Sequence, residues 1–299
     1  MIFSQRSRPL RRNRQFYILS YAKTFGQHSL NLTAVQSAQK FTQEPLTASG
    51  VGIPLESQLY YNLGSATTQG VTSNFTQWTL MSWMGRAIYG FKDNRYMVTA
   101  SLRYDGSSRL ADGHKWVAFP SVAVAWRISS ERFMEGTQSW LDDLKLRFSY
   151  GTAGNNNIPS GQMNLNYVSS ATSWINGFSN YWAASKTMPN SDLKWETTIT
   201  RNIGLDFTVL GGKLNGSIEA YLNTTKDLLI QFPVSGTGYD YQYRNMGETQ
   251  NKGIEATLNW TAIDKKNFGL SFSANIGFNK NKIKDLGIMN DFGAETYWA

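Results

Sequence analysis

The side chains that could do chemistry are few. The chain has two histidines, His28 and His114, and no cysteine. Asp112 and His114 lie close together in one polar stretch, the carboxylate–imidazole pairing a hydrolase would use. No activated serine and no second pair accompanies them, so they read as solvated loop residues. Asp142 and Asp143 precede an alternating segment and read as turn residues. No Walker A or dinucleotide fingerprint appears, and no metal-ligand spacing. The sequence therefore offers no catalytic residue, no cofactor site and no metal site. Aromatics in polar stretches are the remaining candidates: Trp174, Trp182, Tyr239, Tyr241 and Tyr243. Such amphipathic rings could contact a ligand or a partner, or pack loop against loop.

The elements that must carry these residues alternate. In Tyr96–Asp105, Tyr96, Val98, Ala100, Leu102 and Tyr104 share one face, and Met97, Thr99, Ser101, Arg103 and Asp105 the other. Period-two alternation marks a strand with one apolar side. Similar segments fall at about Arg14–Thr24, His28–Gln39, Trp78–Phe91, Val122–Ile128, Leu144–Tyr150, Trp195–Val209, Leu214–Leu222, Gly253–Trp260 and Phe268–Phe278. Arg201 breaks the pattern by falling in the apolar phase, and a bulge could rotate it inward. Connections alternate short (TFGQ, KDNR, SSERFMEGTQSW, LGGK, IDKKN) and long. Long strands with one-sided long loops are the pattern of an outer-membrane barrel, apolar toward lipid and polar toward the lumen.

That topology sorts the aromatics. Tyr96, Trp126, Phe207, Trp260 and Phe268 are expected near the short-turn interface, and Tyr104, Tyr150, Trp195 and Phe278 near the outer one. Val98, Leu102, Val124, Leu146, Phe148, Leu205, Ile218, Leu258 and Phe272 should point outward, with Arg103, Arg147, Glu196, Asp206, Glu219 and Glu255 on the concave side.

Whole-chain numbers agree. Of 299 residues 17% are charged and 14% aromatic, with mean hydropathy −0.39. No apolar run approaches the roughly 18 residues of a spanning helix. The net charge of +8 invites a nucleic-acid reading, but apart from Arg6, Arg8, Arg11, Arg12 and Arg14 the basic residues are scattered and no nucleic-acid motif joins them. Residues 1–13 read as a basic start outside the barrel. FYILSYA is too short for a secretory core and AKT lacks a cleavage signal, so the chain is expected to be a fragment.

Several words also carry a resemblance. RYDGSSRL followed by FPS and a strand ending in WRI, then KLRFSYGTAGN, LKWETT, LNGSIEAYLNTTKDLL and NKGIEATLNW, occur in this order. They resemble the C-terminal barrel half of the SusC/RagA family of TonB-dependent outer-membrane transporters. The resemblance implies a non-enzymatic nutrient importer for an oligosaccharide or peptide in the outer membrane of a Gram-negative bacterium. It further implies energy from the TonB complex, a SusD-like lipoprotein lid, surrounding outer-membrane lipid and no nucleic acid. Residues 1–299 would be a partial barrel domain without a plug. A passive porin-like or adhesin-like barrel is the alternative. The expected fold is all-β: about ten antiparallel strands in up-and-down order, with at most a helical turn in SSERFMEGTQSWLDD, without several helices in Tyr96–Phe278 and without any parallel pair. This transmembrane β-barrel segment should stay an open partial barrel, edged by Phe16–Ala22 and Phe268–Phe278.

Overall fold

The computed structural model describes residues 2–7, 9–54, 56–170 and 181–287. Ten long strands form one antiparallel sheet in which every strand pairs with its sequence neighbours. They are β1 (Leu10–Phe25), β2 (His28–Gln43), β3 (Thr76–Phe91), β4 (Tyr96–Ser107), β5 (Trp116–Arg127), β6 (Leu141–Asn155), β7 (Glu196–Val209), β8 (Leu214–Lys226), β9 (Glu248–Lys265) and β10 (Phe268–Asp285). At 12 to 18 residues all but β7 exceed the alternating segments of the sequence. The ladder continues into water past the apolar rows, where alternation no longer marks it. β1 accordingly begins at Leu10 rather than near Arg14, and Ile2–Ser7 pairs with Leu46–Val51, which pairs with Thr68–Ser73.

The sheet is open. β1 bonds only β2 and β10 only β9, so each edge carries a row of unpaired backbone groups. Among the described residues the only helices are 3-10 turns, such as Glu56–Ser65 and Arg132–Thr137. One parallel pairing departs from expectation: Thr187–Met188 lies beside Tyr241–Gln242. It joins two long connections and leaves the wall antiparallel throughout.

Register fixes the faces. Tyr96, Val98, Ala100 and Leu102 oppose Trp126, Val124, Val122 and Pro120, and this apolar row continues through Phe148 and Tyr150 into β6. Val98, Leu102, Val124, Phe148, Ile218, Leu258 and Phe272 are exposed in the chain alone. Leu146 and Leu205 are half-buried because they oppose each other between Trp126 and Ile218. Arg103, Arg147, Glu196, Asp206, Glu219 and Glu255 all take the other phase, termed the lumen face below.

Two expected placements change. Arg201 is not rotated inward, since β6 and β7 pair without a shift from Glu196 to Thr208. It stays in the apolar phase opposite Tyr150, its guanidinium 5.8 Å from that ring. A cation over an aromatic face at the band's edge needs no bulge. Trp195 does not join the outer aromatic row. It is buried, edge-on to Phe119 at 5.6 Å, and its indole donates to the Lys115 carbonyl at 2.9 Å.

At the short-turn end Phe25, His28, Phe91 and Tyr96 form a continuous belt, with centroid separations of 5.3, 4.9 and 6.3 Å. Glu131, in the β5–β6 connection, ties this belt down. Its carboxylate accepts the Tyr96 hydroxyl, the Trp126 indole at 3.0 Å and Arg95 at 3.2 Å. The tight two-residue turn after β1 places Gly26 at φ 57°, a conformation free of strain only for glycine.

Two outcomes follow from this geometry. Unpaired backbone is not tolerated in hydrocarbon, so the chain refolded alone with liposomes should stay protease-sensitive and aggregate. Protection of the whole sheet would contradict that. The three donors, first the Tyr96 hydroxyl and then the Trp126 indole, hold the Glu131 carboxyl below the ordinary range. Its contribution is complete above the usual Glu value of about 4.3 and lost as pH falls through the lowered folded-state value. In the membrane-embedded protein, Trp126 emission should shift across that acid range, and Glu131→Gln should remove the transition.

Candidate functional site: lumen wall and outer mouth

On the lumen face the charges form a network across three strands. Lys145 on β6 opposes Asp206 on β7, with Nζ 2.9 Å from the carboxylate. Arg147 donates to both Asp206 oxygens at 2.8 and 2.7 Å. The same guanidinium reaches Glu219 on β8 at 2.6 Å, and Asn202 donates to the other Glu219 oxygen at 3.1 Å. Arg147 can bridge two strands because Gly204 stands between it and Glu219. A Cβ on Gly204 would lie 2.9 Å from the guanidinium nitrogen that bonds Glu219.

Beyond Glu219 the face becomes amide-rich. Glu219 opposes Glu255, Tyr221 opposes Gly253 and Asn223 opposes Asn251. Together with Asn202 and Asn279 these residues line a polar groove. The amide oxygens of Asn223 and Asn251 are buried without a hydrogen-bond donor. Those acceptors, one flat Tyr221 ring and two carboxylates suit a ligand rich in hydroxyl or amide donors.

Toward the long connections the wall ends in a small packed core of Leu110, Ala111, Phe119, Ile158, Leu193 and Trp195. It knits three outer connections together. The Ala111 amide donates to Leu193 at 2.9 Å, and Asn245 donates to the carbonyls of Lys194 and Asp227 at 2.8 and 3.0 Å. Phe119 enters this core from the lumen phase because Gly154 leaves room: an added Cβ would lie 2.0 Å from the ring.

The candidates from the sequence are only partly brought together. Tyr241 and Tyr243 meet edge-on at 6.1 Å in the strand Tyr241–Asn245. Tyr243 packs against the mouth core, while Tyr239 lies in the loop before that strand. Trp182 falls in the strand Tyr181–Ala184, paired with Tyr167–Ser170. Trp174 lies outside the described residues. His114 pairs with Asp192 at 2.9 Å and Asp112 with Lys115, so the sequence-adjacent His–Asp pair does not form. Among the described residues no cluster of His, Asp and Glu could hold a metal ion. Sequence reasoning places Arg147 and Glu219 on the concave side without making them a site, and it misses Asn223 and Asn251, which lie just outside the alternating segments Leu214–Leu222 and Gly253–Trp260.

An open wall of long antiparallel strands, apolar outside and charged inside, with one knitted outer rim, defines an outer-membrane barrel protein. The family described as TonB dependent receptor-like, beta-barrel matches residues 3–295. TonB-dependent receptor SusC of Bacteroides thetaiotaomicron is 38% identical over 221 residues, covering 72% of this chain and 22% of that protein. TonB-dependent receptor P26 of Formosa agariphila is 33% identical over 273 residues, 90% of this chain and 27% of its own length. The structure of the RagAB peptide transporter superposes with TM-score 0.83 at 25% identity, covering 95% of this chain and 32% of that one. The chain belongs to the TonB-dependent receptor β-barrel family. It spans about a quarter of the length of these relatives, and the family's members are transport proteins, not enzymes.

The bridge over Gly204 yields a direct check. Gly204→Val should push Arg147 off Glu219 and cost on the order of 2 kcal/mol, the worth of hydrogen bonds to a charged group left unmade. Arg147→Met should cost a similar amount, and the double variant no more than either alone. Urea unfolding of the barrel in detergent would measure all three.

Proposed function

We propose that this chain is part of the barrel domain of an outer-membrane importer that takes up an oligosaccharide or peptide with energy from the TonB complex. The observation that carries this is the sorting of faces over ten paired strands, joined to the SusC and RagAB likenesses. The polar groove along β7–β9 supports a ligand that offers many hydrogen-bond donors. RagAB is described as a peptide transporter; a SusD-like lipoprotein over the outer mouth is the matching partner for this chain. The loop aromatics Trp174, Trp182, Tyr239, Tyr241 and Tyr243 are proposed contacts for that ligand or lid; Tyr241 meets Tyr243, which packs against the mouth core. The site of action is the outer membrane of a Gram-negative bacterium, and residues 1–299 form a portion of one barrel domain.

Uptake of labelled oligosaccharides and peptides into cells with and without the gene tests this reading. Loss of uptake on deleting the gene, and equal loss on removing TonB, is the expected result. Uptake that persists without TonB would make the protein a passive porin-like barrel.

A further inference from the structure

At the outer end of the lumen face one row crosses three strands: Arg12 on β1 opposes Phe41 on β2, which opposes Trp78 on β3. Arg109, in the connection after β4, closes the row. The Phe41 and Trp78 rings stack at 5.2 Å and 15°. The Arg12 guanidinium lies 5.9 Å from the Phe41 centroid, and that of Arg109 lies 4.3 Å from the Trp78 centroid. Two rings are thus held between two cations. Arg14 stands on the same face one step toward the membrane, where Gln39 and Leu80 continue its row.

Among the described residues Arg12, Arg14 and Arg109 have no carboxylate partner, and every ion pair lies elsewhere. Two acids of the same hairpin as Arg109 are engaged with other cations: Asp105 accepts Arg103 Nε at 2.7 and 2.8 Å, and Asp112 is bound by Lys115. Glu44, beyond the end of β2, forms no ion pair with any of the three. Arg109 Nε is buried with no hydrogen-bond partner. Stacking on Trp78 attracts the charge, but guanidinium N–H groups lie in the guanidinium plane and need acceptors at its edge. Burial also pushes the Arg109 guanidinium below its ordinary value, as expected of a cation lacking a counter-charge.

We propose that this row is a docking strip for a linear ligand bearing repeated carboxylates, with Arg109 and Arg12 each binding one of them. The two lie three strand spacings apart, roughly 14 Å at about 4.8 Å per spacing, too far for a single oxyanion to bridge. A chain of several acidic units meets both, and Arg14 widens the strip at the Arg12 end. The ring contacts locate both guanidinium groups on this face, and a guanidinium fork favours paired hydrogen bonds to each carboxylate. The inference rests on the importer reading and gives it a substrate class. Acidic saccharide and acidic peptide share this chemistry.

The test uses the transporter extracted from its membrane in detergent, titrated calorimetrically with tetragalacturonate, tetraglutamate and the neutral maltotetraose. At least one tetra-anion should bind at least tenfold tighter than maltotetraose, and which one does so identifies the source. Monogalacturonate or glutamate should bind at least tenfold more weakly than its tetramer. Arg109→Gln should weaken the tetra-anion about tenfold and flatten its salt dependence. Arg109→Lys, which keeps charge without the flat fork, should fall between. If Arg109→Gln does not assemble, Arg12→Gln on β1 replaces it. Equal binding of neutral and anionic tetramers, or unchanged affinity in the variants, overturns the proposal. Anion binding without TonB-driven uptake would instead overturn the importer reading and leave the strip standing.

Discussion

Every backbone N–H and C=O within the hydrocarbon of a membrane needs a partner, and the rest of this structure depends on that requirement. A sheet satisfies it only strand against strand, which explains nine sequential antiparallel pairings among ten strands of 12 to 18 residues. Once the ladder is fixed, side chains have two places to go, and a shift by one residue would exchange them all. The charges of the lumen network obey this, whereas Arg201 falls in the outward phase. Arg201 sits among apolar neighbours, but at the level of Tyr150, where the ring holds it and its long stem can reach the headgroups. A basic group at mid-bilayer would cost about 2–4 kcal/mol, and near the interface close to nothing. Position along the strand, not phase alone, decides whether a charge is tolerated.

Glycines extend what two faces can do. Gly216 lies under the Phe207 ring, Gly106 under Trp116 and Gly253 under Tyr221, each glycine directly opposite the aromatic. The ring occupies the space the missing side chain leaves. On the lumen side Gly204 does the same for Arg147, whose reach to a strand two away turns neighbouring pairs into one network. The wall is therefore stiffened by side chains running across strands, in addition to the backbone ladder.

Strands, hairpin order and faces were legible because period-two alternation is a local property. Phe148 or Phe272 needs only its own neighbours in sequence to declare its side. Legibility stopped where contacts join distant segments. Trp195 continues the apolar phase of β7, yet it turns into the mouth core because Phe119 and the Lys115 carbonyl, some eighty residues upstream, wait there. Glu131 looked like one acid in a polar connection; its three donors come from β4, β5 and the turn between β3 and β4. The strand pairs built within the long connections were missed for the same reason. Their residues do not alternate, and backbone bonding alone reveals them.

The net charge of +8 takes on a different meaning once register is known. In sequence the arginines from Arg11 to Arg14 form a basic cluster of no evident purpose. On β1 alternation divides them: Arg12 and Arg14 join the lumen face, while Arg11 takes the other. Far along the chain, Lys252 and Lys280 meet on β9 and β10 in the outward phase, level with Arg201 through Leu222. Positive charge thus collects at the outer end of the wall on both faces. Lumen acids lower down, Asp206 and Glu219, are consumed by Lys145 and Arg147. Among the described residues Arg12, Arg14 and Arg109, at the outer end of the lumen face, enter no ion pair. Under the docking proposal, these outer cations would draw a negatively charged ligand toward the entrance before it reaches the paired acids below.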